Sequence, residues 1–600
     1  MIDIHHHSCH KRKNVFFSKH TSDRLYIVET LDIPTDHQQF IDDTITRVYN
    51  TLEQLRSHNG KTRLSQPVDD SELLTADIAI EPTTLAQALN GSNSKEWQAA
   101  LDKEISNLWA RGTFSSVKFL PPGAKVIKSK LTFKIALNPD NTVKKFKIRV
   151  VARGDLQGWD TFHDTYAGTA KRRSIMLILN IAAALNWHVH TCDVTSAFLY
   201  PDLQEQLYLQ MPTQVTGKTR EYVKLNKAIY GLRQAANAFI KHMRATLVSI
   251  GFTQLKNDDC VYVKHSGNDT VYICSHVDDL LMTSNSLDLL RTTAQNIQHT
   301  YEITVEEQPT AYLGMCIDYD RTAGTLLLSM PGYTQRMVDE FLPNRPARPP
   351  KTPSLTHSDE TSTDSTALDS NGKKNYMRVV GSLLYLAIST RPDILHAVHT
   401  LTQHMQSPAT QHLHDAHRVL HYLSGTTSHG ITFVRDDDIT LHAFADAAYA
   451  NTHDRKSQYG LTFRLGTKSA HFYSVSKKQS IVAISSTEAE YVALAECVRD
   501  VIWLRSFLHE LGYTQLHPTP IYQDNKSCIA IAENTGNTER TKHIDIRHHF
   551  LKDFIASNDI KLYYLPTDDM VADILTKSLV TAQFSKLANV LLKLEVLTSE

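Results

Sequence analysis

The sequence predicts a mixed α/β protein with several domains. Its 600 residues, 41% of them hydrophobic, suffice for several buried cores. Segments with the apolar spacing of helices alternate with short strand-like runs. A proline-rich run, Pro343-Asn-Arg-Pro-Ala-Arg-Pro-Pro350, continues into a Ser/Thr/Asp-rich stretch that ends at Lys373. This is the strongest loop signal in the chain, and it separates two halves.

The first half begins with a segment for which poor order is expected. Residues 1 to about 75 are polar and His-rich, and only Gln39 to Leu55 have a helical pattern. Leu85 to Trp109 carry helically spaced apolar residues, with an interruption near Gly91. Val271 to Met282 are two apolar strand-like runs that meet at two adjacent acids, which predicts a β-hairpin.

The sequence pattern of the second half predicts helices followed by a mixed sheet. Helical patterns cover Tyr376 to Ile388, Ile394 to Met405 and His412 to Leu423. Strand-like runs follow between about Ile431 and Tyr473, and a long helix starts near Ser486 and stops before Gly512. A strand at Pro520 to Asp524 and a strand-helix region from Lys561 to Leu579 complete the pattern.

Charge and cysteine usage limit the function classes. The net charge is −1, so composition alone does not indicate a nucleic-acid partner, but twelve basic against four acidic residues between Lys125 and Arg173 give this segment a charge of +8. The seven cysteines form no Cys-x-x-Cys pair, which favours a reduced, intracellular setting. No signal peptide or membrane-spanning segment is apparent, so no membrane role is expected.

Three acids in the first half form a candidate metal site. Asp278 and Asp279 stand side by side without the glycine that a tight hairpin favours, and Asp193 ends an upstream strand-like run. Divalent cations offset the repulsion between adjacent carboxylates, so the three acids could share two Mg²⁺ ions. Taken alone, a solvated turn is an equal alternative.

A series of motifs resembles one family over residues 79 to 585: the reverse transcriptase and ribonuclease H portion of copia-type long-terminal-repeat retrotransposons. The motifs of the first half are Trp97-Gln-Ala-Ala-Leu-Asp-Lys-Glu104, Lys147-Ile-Arg-Val-Val-Ala-Arg-Gly154, Cys192-Asp-Val-Thr-Ser-Ala-Phe-Leu199, Ala228-Ile-Tyr-Gly-Leu-Arg-Gln-Ala235, His276-Val-Asp-Asp279 and Tyr312-Leu-Gly-Met315. Those of the second half are Gly381-Ser-Leu-Leu-Tyr-Leu386, Thr390-Arg-Pro-Asp-Ile394, Ser474-Val-Ser-Lys-Lys-Gln479, Ser485-Ser-Thr-Glu-Ala-Glu-Tyr491, Thr541-Lys-His-Ile-Asp545 and Ala572-Asp-Ile-Leu-Thr-Lys577. Their common order makes the resemblance specific.

The resemblance implies roles for residues of the polymerase half. Asp193, Asp278 and Asp279 become the catalytic, metal-binding triad, with Asp279 the least certain direct ligand. The nucleotide-binding residues become Lys147, Arg149, Phe198 and Gln234, with Arg153 as an alternative on the basic strand. Phe198 resembles the residue beneath the incoming sugar, and Leu313 and Gly314 resemble the turn that holds the primer end. A core aromatic and an ordinary hairpin turn are the respective alternatives.

The resemblance implies a second metal site in the other half. The four acids of ribonuclease H match Asp446, Glu490, Asp524 and Asp573. Both Glu488 and Glu490 also fit the capping-box pattern of a helix start, so Glu488 remains the alternative ligand. Two Mg²⁺ ions per site are implied, with Mn²⁺ as a substitute.

The implied fold is a right-hand polymerase of fingers, palm and thumb, followed by a connection region and a ribonuclease H-like domain. The expected regions are 1–78, a poorly ordered segment; 79–300, fingers and palm; 301–345, a thumb-like region; 346–373, a linker; 374–435, the connection; 436–585, the ribonuclease H-like domain; and 586–600, a tail.

The implied function is RNA-directed DNA synthesis with degradation of the RNA strand of the hybrid. The expected partners are an RNA template, a DNA primer or RNA·DNA hybrid, and dNTPs; the oligomeric state stays open. The expected location is the cytoplasm, with virus-like particles and the nucleus as further compartments.

Departures from the family pattern keep a second hypothesis open. His276 stands where tyrosine is usual, Tyr166 to Ala170 differ from the expected Phe-Ala-Pro-Val-Ala, and Met176 replaces an arginine. The alternative is a catalytically decayed or host-adopted remnant that binds nucleic acid.

Overall fold

Helices and strands alternate along the chain, which confirms the predicted mixed α/β class. The computed structural model describes residues 81–137, 143–217, 220–342, 348–356, 366–452, 454–533 and 545–594. The segment 1–78, with its predicted helix, lies outside these ranges, as does the tail from 595 on.

Fourteen helices are assigned within the described ranges. In the first half they are α1 (Leu85–Asn90), α2 (Ser94–Ala110), α3 (Arg172–Ala184), α4 (Thr213–Thr216), α5 (Ala235–Ser249), α6 (Leu287–Gln298) and α7 (Pro331–Phe341). In the second half they are α8 (Ser370–Ser389), α9 (Leu395–Thr402), α10 (Thr410–Ser424), α11 (Ser486–Glu510), α12 (Lys526–Glu533), α13 (Asp545–Ala556) and α14 (Thr581–Leu592). The break near Gly91 and the three helices after the loop are confirmed.

The described strands form four sheets. The strands are β1 (Phe114–Ser116), β2 (Lys125–Leu137), β3 (Val143–Ala152), β4 (His188–Val194), β5 (Asp202–Gln210), β6 (Tyr222–Lys227), β7 (Thr253–Gln254), β8 (Val261–Ser266), β9 (Asp269–His276), β10 (Asp279–Ser284), β11 (Ile303–Glu306), β12 (Ala311–Tyr312), β13 (Met315–Asp320), β14 (Thr325–Ser329), β15 (Gly430–Val434), β16 (Leu441–Ala448), β17 (Gln458–Leu465), β18 (Tyr473–Lys478), β19 (Thr519–Gln523) and β20 (Ile560–Tyr564). The first sheet has the order β1-β6-β5-β2-β3, and the second has the order β11-β4-β10-β9-β8-β7. The third is β12-β13-β14-β15, and the fourth is β18-β17-β16-β19-β20.

The third sheet joins parts of the chain that are far apart in sequence. Its strand β15 pairs with β14 in antiparallel register, with Leu328 opposite Ile431. Residues predicted to lie in a thumb-like region and in a connection region therefore share one sheet. One core cluster of buried apolar residues extends from Ala170 in the first half to Leu592 in the second, so the two halves share a hydrophobic interior.

A buried junction ties α11 to the first half. The Arg173 guanidinium lies 3.3 Å from an Asp500 carboxylate oxygen, and the two side chains are only 6% and 5% exposed. The same guanidinium carbon lies 3.6 Å from the centre of the Trp503 ring, a distance at which a cation is attracted to the ring face. The Tyr272 hydroxyl also donates to the Leu511 carbonyl at the end of α11. The junction holds the helix that begins near Glu490 against the second sheet.

Disruption of a second buried ion pair is expected to lower the stability of the fold strongly. Arg391 binds Asp393 through two hydrogen bonds of 2.9 and 2.8 Å, Tyr422 donates a third at 2.8 Å, and the ion pair is at most 1% exposed. Burial alone would raise the pKa of Asp393, but the charge and hydrogen bonds of Arg391 lower it overall. Asp393→Ala leaves the guanidinium buried without its counter-charge, so the free energy of unfolding should fall by about 3–5 kcal/mol in urea denaturation.

The exposed Asp437 offers the matched control. Asp437→Ala is expected to change the free energy of unfolding by no more than about 0.5 kcal/mol. Because the pKa of Asp393 lies below its ordinary value of 3.8, the stabilisation is present above that pH and is lost as the pH falls through the lowered pKa. Equal effects of the two substitutions would contradict the role of the buried pair.

Among the described helices, none has the length and apolar character needed to cross a bilayer.

Candidate metal centres

Strand pairing places the three acids of the first half at one edge of the second sheet. Asp193 ends β4 directly opposite Asp279, the first residue of β10. Asp278 precedes β10, and its backbone carbonyl accepts a 3.0 Å hydrogen bond from the Val194 amide. Asp193 is exposed, and the other two acids are half-buried. Three carboxylates thus meet beside open solvent, although they are not among the described groups whose ligand atoms lie within 4.8 Å of one another.

The turn that carries Asp278 has an unusual backbone. His276 pairs with Asp279, so Val277 and Asp278 form the two-residue connection between β9 and β10. Val277 has φ +58°, a left-handed conformation that a β-branched side chain rarely adopts. Such strain persists only where the surrounding structure fixes the turn. Here the flanking strands and the hydrogen bond from the Val194 amide fix the turn.

His276 contributes no positive charge to this edge at neutral pH. Burial lowers the pKa of its imidazole, and the charge of Arg172 lowers it further. The ring opposite Asp279 is therefore neutral, as the tyrosine usual at this position would be.

The basic strand β3 presents its predicted residues on one face. Ile148 and Val150 are buried, whereas Lys147 and Arg149, which alternate with them, are exposed. Partial desolvation of the ammonium group and the charge of Arg149 lower the pKa of Lys147, whereas the charge of Asp193 raises it. The ammonium group of Lys147 therefore interacts electrostatically with the acid site.

Tyr230 connects two of the predicted nucleotide-binding residues. The Arg149 guanidinium carbon lies 4.2 Å from the centre of the Tyr230 ring, and the Phe198 ring lies 5.2 Å from it, edge to face. Burial raises the pKa of the Tyr230 hydroxyl, which hydrogen-bonds Ser196. Sequence reasoning did not assign Tyr230 a role, although it lies four residues before Gln234 in the same motif.

Gln234 is buried and engaged within the protein. Its amide oxygen accepts a 3.0 Å hydrogen bond from Gln157, and its amide nitrogen donates to the Thr161 carbonyl at 3.4 Å. Gln157, whose role the sequence alone did not reveal, thus fixes the orientation of the Gln234 side chain. The predicted alternative Arg153 instead pairs with the neighbouring Asp155 at 2.6 Å.

The turn at Leu313 and Gly314 faces the same acids across a cleft. An open cleft is lined by both residues together with Asp193 and Asp279. Tyr312 pairs with Met315, and the two turn residues have φ +48° and +80°, as a type I′ hairpin requires. A side chain at Gly314 would also approach the Tyr385 hydroxyl to 2.9 Å. The predicted primer-holding turn therefore shares one cleft with two of the predicted metal ligands.

The fourth sheet and α11 bring the acids of the second half together. Because β16 and β19 are parallel, with Phe444 opposite Tyr522, Asp446 and Asp524 follow at the same edge. Single ligand atoms of Asp446, Glu490 and Asp524 lie within 4.8 Å of one another. The fourth predicted acid, Asp573, lies in a short 3₁₀ segment beside them and is 2% exposed.

The two glutamates at the start of α11 have different partners. Glu488 is half-buried, its carboxylate accepts a 2.6 Å hydrogen bond from the Ile484 amide, and its own amide donates to the Ser485 hydroxyl. Its carboxylate is therefore bound to the backbone just before the helix start. Glu490 is 6% exposed and accepts a 3.3 Å hydrogen bond from Gln523. Of the two candidate ligands, Glu490 is the one that joins the acid group.

Burial and the charges of neighbouring acids raise the pKa values of Asp446, Glu490 and Asp573. Burial and the charges of Asp446 and Asp524 raise the pKa of Glu490 to about 10. Burial and the charge of Asp446 raise that of Asp573 to about 8. A divalent cation would reverse this effect, since it favours the charged carboxylates. A donor set made only of carboxylate oxygens suits Mg²⁺ or Mn²⁺ at both acid sites.

Lys577 and Thr576 supply polar partners to the second acid group. The Lys577 ammonium lies 2.8 Å from an Asp573 carboxylate oxygen, and the Thr576 hydroxyl donates to Asp446. Neither residue was predicted as part of the site, although both belong to the motif that contains Asp573. The spacing of four residues between Asp573 and Lys577 is the signal that reveals the pair.

Replacing Lys577 tests how the acid group is held together without metal. Lys577→Met removes a cation beside buried carboxylates, so the free energy of unfolding in EDTA should fall by about 1–2 kcal/mol. Added Mg²⁺ should recover more stability in the variant than in the wild type, as measured by thermal melting in both conditions. Lys586→Met removes a lysine paired with the exposed Asp569 and serves as control. Identical Mg²⁺ responses in all three proteins would refute the expectation.

Comparison with known proteins finds a family match within the first half and relatives along most of the chain. Residues 112–353 match the family of reverse transcriptases (RNA-dependent DNA polymerases). The chain is 33% identical over 507 residues to the retrovirus-related Pol polyprotein from transposon TNT 1-94 of Nicotiana tabacum, an alignment that covers 83% of this chain and 38% of that protein. It is 34% identical over 519 residues to that from transposon RE1 of Arabidopsis thaliana, covering 85% of this chain and 34% of the relative.

The chain spans about a third of the length of these curated relatives. Among solved structures, a foamy viral protease-reverse transcriptase in complex with dsDNA aligns with 90% of this chain and 99% of its own, at 12% identity and a TM-score of 0.43. A likeness this weak supports no conclusion about sites or partners.

Proposed function

Because this chain is a relative of copia-type retrotransposon Pol polyproteins and contains a reverse transcriptase domain, we propose that it copies RNA into DNA and cleaves the RNA strand of the resulting hybrid. The observation that carries the proposal is the presence of two separate carboxylate groups. One lies at the β9–β10 turn beside a basic strand, and the other lies at the joint edge of β16, β19 and α11.

The polymerase site is proposed to work by positioning and charge. Asp193, Asp278 and Asp279 would hold two Mg²⁺ ions, which when bound lower the pKa of the primer 3′-hydroxyl and neutralise charge on the triphosphate. The exposed cations of Lys147 and Arg149 bind the triphosphate oxygens. Contact with the Tyr230 ring limits the motion of the Arg149 side chain and leaves its guanidinium preorganised.

The sugar and the primer end are proposed to contact apolar parts of the site. The Phe198 ring, held edge to face by Tyr230, supports the sugar of the incoming nucleotide and disfavours a 2′-hydroxyl. The Leu313–Gly314 turn positions the primer end across the cleft from Asp193 and Asp279. Gln157 keeps Gln234 at the edge of the nucleotide site.

The second site is proposed to cleave RNA. Asp446, Glu490, Asp524 and Asp573 would hold two Mg²⁺ ions, which when bound activate a water molecule and stabilise the leaving oxygen. Lys577 orients Asp573, and Gln523 orients Glu490, so the two buried acids keep their positions before the hybrid binds.

Two assays on one preparation test the proposal. The full chain should extend oligo(dT) on poly(rA) with Mg²⁺ or Mn²⁺, and it should shorten a labelled RNA strand paired with DNA but not a free RNA strand. Extension without cleavage would refute the nuclease part alone. A well-folded chain with neither activity that still binds hybrid would favour the second candidate function, a decayed or host-adopted binding protein, which the departures from the family pattern between Tyr166 and Met176 support.

A further inference from the structure

An aromatic pair lies on the surface between β3 and α3. Trp159 is 82% exposed, although tryptophan is usually among the more buried residues. Its ring centre lies 5.7 Å from that of Phe162, which is half-buried. The indole ring of Trp159 is therefore open to contact with a partner.

Arg233 contacts both rings. Its guanidinium carbon lies 5.3 Å from the centre of the Trp159 ring and 5.2 Å from that of Phe162, within the range of cation–π attraction. The guanidinium is fixed in turn, because Nε donates a 2.7 Å hydrogen bond to the Gly154 carbonyl. The two rings and the guanidinium therefore form a surface with a defined geometry, called here the Trp159 platform.

Hydrogen bonds connect the platform to the predicted nucleotide site. The Arg233 amide donates to the Gln157 side-chain oxygen at 3.2 Å, and the Gln157 side-chain nitrogen donates to Gln234 at 3.0 Å. Gln234 is the next residue after Arg233. Whatever lies on the platform is thus held next to the position proposed for the incoming nucleotide.

The surroundings of the platform favour an anionic partner. Asp160, the acid beside Trp159, is paired with Lys125 at 3.0 Å, which neutralises it. The surrounding segment from Lys125 to Arg173 has a charge of +8. An open aromatic face next to cations is the arrangement on which single-stranded nucleic acids stack their bases while cations attract the phosphates.

We propose that Trp159, Phe162 and Arg233 bind the unpaired part of the template strand by base stacking, ahead of the base pair that is being formed. The proposal rests on the polymerase function proposed above. Every base has a π-face, so the platform accepts either RNA or DNA of any sequence. The platform should therefore add to the affinity for the unpaired template overhang and not to the affinity for the duplex behind it.

Equilibrium binding to two matched substrates tests the proposal. Both carry the same RNA·DNA duplex; one is blunt and the other has an unpaired 5′ extension of the template. Binding is measured by fluorescence anisotropy with EDTA and without dNTPs, so the result does not depend on catalysis. The wild-type chain should bind the extended substrate at least about fivefold more tightly, since stacking of one base on an aromatic ring typically gives that much or more.

Variants locate the preference on the platform. Trp159→Ala should reduce the preference for the extended substrate to nearly one and leave affinity for the blunt duplex unchanged, whereas Trp159→Phe should retain most of it. Leu516→Ala, at a side chain that is 85% exposed in the second half, is the control and should behave as the wild type. Melting temperatures should be equal, because both side chains are exposed.

Several results would overturn the proposal. One is a wild-type chain without any preference for the extended substrate. Another is a Trp159→Ala variant that still prefers the extended substrate. In that case the exposed aromatic pair would bind a protein or have no partner. Equal losses of affinity for both substrates would mean that Trp159 supports general docking of the duplex. None of these results depends on whether the chain synthesises DNA, so failure of the polymerase proposal remains separately visible.

Discussion

Asp278→Asn is expected to lower DNA synthesis by roughly a hundredfold to a thousandfold or more while leaving cleavage of hybrid RNA at its wild-type rate. Asparagine has nearly the same shape, and the bond from the Val194 amide goes to the backbone carbonyl of Asp278, so the turn is retained. What is lost is one negative charge at the edge where the primer hydroxyl and the triphosphate are proposed to meet. Extension of oligo(dT) on poly(rA) measures the effect.

Asp318 provides the control for this substitution. It is exposed on β13, outside the residues that line the cleft, and Asp318→Asn should leave synthesis within about twofold of the wild type. Loss of both synthesis and cleavage in the Asp278 variant would contradict independent sites, provided that its melting temperature is unchanged.

Asp524→Asn is expected to have the reciprocal effect, lowering hybrid cleavage by a similar factor while synthesis persists. Asp524 lies within 4.8 Å of Asp446 and Glu490, and its carboxylate accepts a 2.7 Å hydrogen bond from Thr567 that an asparagine oxygen can also accept. The substitution therefore removes charge and preserves local structure. Release of short fragments from a labelled RNA·DNA hybrid measures it.

The exposed Asp568, next to Thr567, is the matched control for the nuclease site. Asp568→Asn should cleave as the wild type does. If Asp524→Asn retained full cleavage, Asp524 would not be a metal ligand, and Asp446, Glu490 and Asp573 would have to suffice. The reciprocal pair of variants thus tests whether the two proposed chemistries reside at separate sites.

Local patterns predicted much of the fold. The hairpin around Asp278, the break near Gly91 and the long helix from Ser486 follow from apolar spacing and from capping residues that act within a few positions. The structure confirms these elements. Three acids of the second half, Asp446, Glu490 and Asp524, also lie together as expected, because they belong to two strands and a helix whose positions are visible in the sequence.

Contacts between distant segments were not predictable in this way. Gln157 and Gln234 are 77 positions apart, and Arg173 and Asp500 are 327 apart. Nothing in the local pattern of either partner specifies the other. The same limit applies to β15, which was expected in the connection region 374–435 and pairs with β14 of the predicted thumb-like region. Register and side-chain pairing across a shared core are decided by packing of the whole chain.

The junction of Arg173, Asp500 and Trp503 has a consequence for how such a gene can change. Recombination exchanges protein segments successfully where few side chains depend on one another across the crossover. Here a charge and its counter-charge lie on opposite sides of any crossover between residues 174 and 499, and both are buried. A chimera that took the first half from one lineage and the second half from another would leave one of the two charges uncompensated unless both lineages carried the same pair. The two halves are therefore expected to be inherited together.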